Sequence, residues 1–518
     1  MLSDEVLELV SERLVSRIES TNTYILKQIG SNLDELGKLN YSDAHKLAQI
    51  LKYGGDYDKI IKKLSEVTNI TEKEISEIFD EVAKREYDFA KQFYDYRNIK
   101  YLPYNEHSVL KDQVEALKSI TQRNAREMLN PRVLGYGTLD EATGLVSFKG
   151  LQQSYYDLID EAVLSISQGK ESLNEAMARQ IKAMGSGGLR VTYDSTYINK
   201  EGQEVHRTRR LDSAVRTNIK DGIRSLHNEL QEEFGKEFGA DGVEISVHQN
   251  PAPDHQYMQG RQFSKEEYNK LQIEGVAKDY EGKEIDINTT SKKGVVFHRP
   301  VSQYNCYHYV FSIVLGVSSR EYTDEQLQEI IDENNKGFEL DGKHYTNYEG
   351  TQLQRRLETE IRKAKDTQIM AKESGQLETV EEAQRRITEL TKKYKELSSA
   401  SGLPTKMDRL KVSEYKRVKV DLKGYYESNL VGLNNGTYTI NQVSQHILDR
   451  KWDRNLRVND LIEDFKNPLH IDKTKYDEKG RPSTKIIGKN ITMYINPETG
   501  NLTTWHRTHK KTADKYKE

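Results

Sequence analysis

Cysteine occurs once in the 518 residues, at Cys306. No disulfide can form within the chain, which suits a reducing cytoplasm. Proline is scarce, at 9 residues, so little interrupts long helices. Tryptophan appears only at Trp452 and Trp505. No apolar run of about 18 residues is present, so no membrane-spanning helix is expected. The opening MLSDEVLELVSERL is acidic and amphipathic, without the basic and apolar regions of a secretory signal.

Charge and tyrosine are abundant instead. Charged residues make up 31% and hydrophobic ones 35%, with a mean hydropathy of -0.82. Such a chain is too long for one core and polar enough for long, solvated helices. The 31 tyrosines suggest an interface-rich surface. The net charge of -4 hides an asymmetry. Residues 401–518 hold 23 Lys and Arg against 15 Asp and Glu, a net +8, which leaves -12 for 1–400. A basic tail on an acidic body suits phosphate or an acidic partner, with ordinary surface charge as the plain alternative.

Periodicity predicts a mainly α chain, multi-domain and elongated, with an α+β central domain and a small α+β module at the end. An N-terminal helical region covers 1–188. There Leu7, Val10, Leu14 and Ile18 keep helical spacing, and Asn69 or Thr71 is a candidate cap for a further helix. Gly185-Ser186-Gly187-Gly188 reads as a hinge. A core follows over 189–345, with a helix near 209–230 and a short strand over Val243–Val247. A charged helical arm spans 346–400, with its partner left open. Ser398–Pro404 reads as a linker to the basic module, 401–518. That module should hold a helix over Ile440–Arg454 and strands over Thr484–Ile487, Ile491–Ile495 and Leu502–Arg507.

The central core carries an unusual sequence of residue types. His248-Gln249-Asn250-Pro251-Ala252-Pro253-Asp254-His255 runs on to Gly260, and Asn305-Cys306-Tyr307-His308 and Gly316-Val317-Ser318 follow later. His248, His255, Cys306 and His308 are all metal-ligand types, so a structural zinc site is one reading. The other is a hydrogen-bonded polar cluster with Cys306 as a small buried group. A catalytic Cys306–His pair is the third. These motifs resemble the phage minor capsid protein 2 family, related to MuF-type minor head proteins. Its pattern is H-x-x-x-R-P-x-H-x-x-W/M-x-G followed by N-C-R-H and P-G-V-S. Ala252 and Tyr307 stand where that family has arginine. The resemblance implies a virion protein in the capsid interior or at the portal vertex, made in the host cytoplasm. Portal protein, major capsid or scaffolding protein and phage genomic DNA are the implied partners, in head assembly and genome packaging or ejection.

His446-Ile447-Leu448-Asp449-Arg450, Asn496-Pro497-Glu498-Thr499-Gly500 and Thr503-Thr504-Trp505-His506-Arg507-Thr508 stand in the basic module, which on these motifs resembles toxin-like RNases of the barnase–EndoU–colicin–RelE type. His446 and His506 would be base and acid, with Arg450 stabilising the anion and Thr504 and Thr508 on the His506 face of the strand. RNA would be the substrate and no metal would be needed. Arg454, Lys485, Lys489, Arg507, Lys510 and Lys511 are the candidate nucleic-acid contacts. The alternative is an inactive module that only grips nucleic acid or a partner.

Overall fold

Apolar residues three and four apart bury one stripe of each long N-terminal helix. In the computed structural model these are α1 (Asp4–Gly37), α2 (Tyr41–Tyr53), α3 (Asp56–Arg97), α4 (Ser108–Met128), α5 (Leu151–Gln168), α6 (Leu173–Gly187) and α7 (Leu211–Phe238). The structure describes residues 4–37, 41–53, 56–139, 146–168, 173–198, 204–290, 294–303, 306–447 and 457–516. The chain is mainly α, with small sheets and several separate cores.

The largest core joins Leu14, Ile25 and Leu33 of α1 to Phe79 and Tyr87 of α3 and to Ile223 of α7. The core therefore crosses residue 188, where the sequence suggested a boundary. No cap interrupts α3 at Asn69 or Thr71: the helix runs through 42 residues and Thr71 is fully buried within it. Tertiary packing of a continuous apolar stripe outweighs a local capping preference.

A four-stranded antiparallel sheet runs beside these helices, in the order Val146–Gly150, Leu134–Leu139, Leu189–Ile198, Glu204–Arg210. The glycines at 185–188 are not a hinge. Helix α6 continues to Gly187, and a Cβ there would lie 1.5 Å from the Gly137 carbonyl oxygen. Glycine is needed because helix and strand touch backbone to backbone.

Six of the tyrosines serve the interior. Tyr87, Tyr94, Tyr136, Tyr155, Tyr394 and Tyr426 are almost fully buried. Tyr87 stacks on Phe234 and donates its hydroxyl proton to the Leu102 carbonyl. Here the polar tip satisfies internal acceptors rather than an interface.

After α8 (Lys265–Glu274) and α9 (Asp324–Lys336), helices α10 (Asn347–Glu373) and α11 (Leu377–Ser401) form a hairpin turning at Gly375. It is packed rather than solvated: Met370, Ala371 and Val380 join the main core. Its buried charges are paired. Asp366 meets Arg210 at 3.3 Å, and Arg362 meets Asp212 at 3.4 Å. The supposed linker begins inside α11, which ends at a left-handed Gly402 cap.

Two smaller cores follow different rules. In the central domain Val243, Ile245, Met258, Phe263 and Val310 pack around a sheet ordered Val310–Ile313, Gly242–Ile245, Gln262–Ser264. In the C-terminal module the strands Pro482–Ile487, Ile491–Asn496 and Asn501–Arg507 form an antiparallel meander. Alternate residues of this meander, Ile486, Met493 and Trp505, face one core. The expected helix over Ile440–Arg454 is partly replaced. Gln442–Val443 is a strand lying parallel to Asn501–Leu502, helix begins only at Gln445, and 448–456 lie outside the described residues.

Candidate functional site

The loop 248–260 leaves the strand Gly242–Ile245, and the segment 306–309 leads into its partner strand Val310–Ile313. Pairing of those strands brings distant residues together. His255 Nδ1 lies 3.5 Å from Cys306 Sγ, and His308 Nδ1 lies 3.4 Å from the same sulfur. The three ligand-type atoms all fall within 4.8 Å of one another. His248 stands beside them, half-buried, its ring centred 4.5 Å from that of His308.

Neighbouring groups fix which nitrogens carry protons. His255 Nε2 lies 2.8 Å from the Arg299 carbonyl. A carbonyl only accepts, so Nε2 carries the proton and Nδ1 turns its lone pair to the sulfur. Gln259 Oε1 accepts the His248 backbone N–H at 2.9 Å, which identifies it as the amide oxygen. His308 Nε2, 3.4 Å from that oxygen, is then the donor, and its Nδ1 also presents a lone pair. Burial holds both imidazoles below the usual histidine range and pushes the Cys306 thiol up.

The surrounding shell was not legible in the sequence. Arg299 grips Asp254 and supplies the carbonyl for His255. Ser302, at a left-handed φ of 60°, donates its backbone N–H to Cys306 Sγ at 3.1 Å. The only signal was Asp254 lying next to His255. Tyr307 lies beneath three cations: Lys220 (5.4 Å), Arg224 (5.7 Å) and Arg355 (5.6 Å). An aromatic face suits that position electrostatically.

The C-terminal candidates divide. Thr504 and His506 alternate with Trp505 along one strand, so they face away from the core. The Trp505 indole donates to the Ile447 carbonyl at 3.0 Å. The segment bearing His446 therefore packs on the Trp505 side of the strand, and the His446 side chain is exposed. His506 Nδ1 is 2.8 Å from the Arg507 carbonyl, and Thr508 shares a hydroxyl hydrogen bond with Thr492. Arg450 and Arg454 lie outside the described residues. Lys485 sits mid-strand opposite Tyr494. Lys489, Arg507, Lys510 and Lys511 are exposed at one end of the meander, where the Thr508 N–H donates to the Asn490 carbonyl.

A family model, phage minor capsid protein 2, matches residues 2–398. The chain belongs to that family. It is accordingly a structural component of the phage head and of the virion. The matched span takes in the helical body, the His/Cys core and most of the α10–α11 hairpin. Searches of curated proteins and of solved structures return no match. Among the described residues, no helix is long and apolar enough to cross a membrane.

Proposed function

We propose that this minor capsid protein lies in the head interior against the portal vertex, as in MuF-type head proteins, and acts in head assembly and genome packaging or ejection. The family match over 2–398 carries the reading. Portal protein and major capsid or scaffolding protein are the proposed partners of the acidic body. Genomic DNA is the proposed partner of the basic module. Lys489, Arg507, Lys510 and Lys511, gathered at one end of its sheet, supply phosphate contacts of the sequence-independent kind. Ribonuclease activity stays the alternative reading of the basic module; the bond from Trp505 to the Ile447 carbonyl, which puts the segment bearing His446 on the core side of the strand that turns His506 outward, weighs against it.

The test is a phage carrying a null allele of this chain, complemented with wild type or with Lys489, Lys510 and Lys511 changed to Glu. The null allele is expected to give few DNA-filled, infectious heads. The charge-reversed chain should enter heads but restore DNA content or ejection poorly. Normal numbers of filled, infectious heads from the null allele would overturn the reading.

A further inference from the structure

We infer that His255, Cys306 and His308 are ligands of a structural zinc ion, with the adjacent His248 ring, centred 4.5 Å from that of His308, as the candidate fourth.

The first argument is a count of protons. Two Nδ1 lone pairs converge on one sulfur, at 3.5 and 3.4 Å. Both Nε2–H groups are already directed outward, to the Arg299 carbonyl and the Gln259 amide oxygen. A single S–H can satisfy only one of the two facing lone pairs. The sulfur is meanwhile an acceptor for the Ser302 N–H. The buried trio thus holds more acceptors than donors, and a cation answers that deficit. On binding, Zn²⁺ takes both nitrogen lone pairs and the sulfur, and the thiol proton leaves to solvent.

The second argument is the shell. Metal-binding histidines commonly give their other ring N–H to a carbonyl or carboxylate, and metal thiolates accept backbone N–H groups. Both arrangements are present here, and the left-handed backbone at Ser302 aims its N–H at the sulfur. One soft sulfur with imidazoles favours zinc over the hard divalent cations. His255, Cys306 and His308 are 1, 1 and 4% exposed, which suits an ion held for structure rather than one that meets a substrate. The ion is therefore structural. It ties the loop 248–260 and the turn at 299–303 to the strand entering Val310, in a domain whose apolar core is small.

The experiment uses the full chain, expressed with added zinc and dialysed without chelator, followed by elemental analysis and thermal melts. The expected content is about one zinc per chain. A strong chelator should lower one unfolding transition, and re-added zinc should restore it. Cobalt in place of zinc should show a thiolate-to-metal charge-transfer band that Cys306→Ser abolishes. A wild-type chain that folds without zinc, with melts indifferent to chelator and zinc alike, overturns the inference whether or not the variants fold. A stoichiometric metal other than zinc overturns it as well.

Discussion

Arg299 holds Asp254 through Nε and Nη2 of its guanidinium, at 2.9 and 2.7 Å, while its backbone carbonyl accepts the His255 Nε2 proton at 2.8 Å. One residue thus orients the loop 248–260 through its side chain and one ring of the His/Cys cluster through its main chain. Arg299→Ala would leave a mostly buried carboxylate without its charge partner. The expected loss is about 2 kcal/mol in a denaturant titration monitored on the central domain. An unchanged midpoint would show that the pair merely decorates the loop.

Helix α6 and the strand Leu134–Leu139 meet at Gly187 and Gly137 with no room for a side chain. Gly187→Ala should cost about 2 kcal/mol or more, because a backbone oxygen cannot step aside as a side chain would. A flexible hinge would tolerate the alanine, so thermal melts of this variant separate the two descriptions.

Tyr307 is expected to accept Phe and reject Arg. Phenylalanine keeps the π face beneath Lys220, Arg224 and Arg355, whereas arginine adds a fourth cation to that cluster. Soluble yield and melting temperature of Tyr307→Phe and Tyr307→Arg measure this directly. A stable Arg variant would mean that the cations find other partners.

Burial pushes the Glu19 carboxyl up to about 8 and, in the same cluster, Asp366 up to about 6, although Arg362 and Arg210 pull the other way. Folding therefore favours their protonated forms. The associated stability is present at low pH and is lost as pH rises from the ordinary carboxylate range through the folded values. Melting temperature should fall between about pH 5 and pH 8, and Glu19→Gln should flatten that slope. A wild-type slope retained in the variant would place the titration elsewhere.

Trp505 is fully buried, meets Tyr426 edge-on at 5.8 Å and bonds the Ile447 carbonyl. Trp505→Ala should cost about 4 kcal/mol and unfold the basic module before the rest. Limited proteolysis followed by mass spectrometry would find cleavage concentrated in 420–516.

Ligand-type residues were legible in the sequence because His248, His255, Cys306 and His308 are conspicuous by type alone. Their convergence was not, since it depends on the pairing of Val310–Ile313 with Gly242–Ile245 across about sixty residues of chain. The outward-facing protons of His255 and His308 rest on Arg299 and Gln259, which no spacing rule singles out. The meander strands were legible from alternation and from the Asn496–Gly500 turn. The packed α10–α11 hairpin was misjudged because Arg362 and Asp366 look solvent-facing until Asp212 and Arg210 meet them. In the basic module, two histidines of suitable chemistry stand out by type, but strand alternation turns His506 to the face opposite Trp505, whose indole bonds the segment bearing His446.

The central claim is a place inside the phage head, and quantitative mass spectrometry of purified heads, before and after external protease, tests it most directly. The account predicts this chain in heads at far fewer copies than the major capsid protein, intact after protease on closed particles and digested once they are opened. Absence from purified heads, or digestion on closed particles, would contradict it.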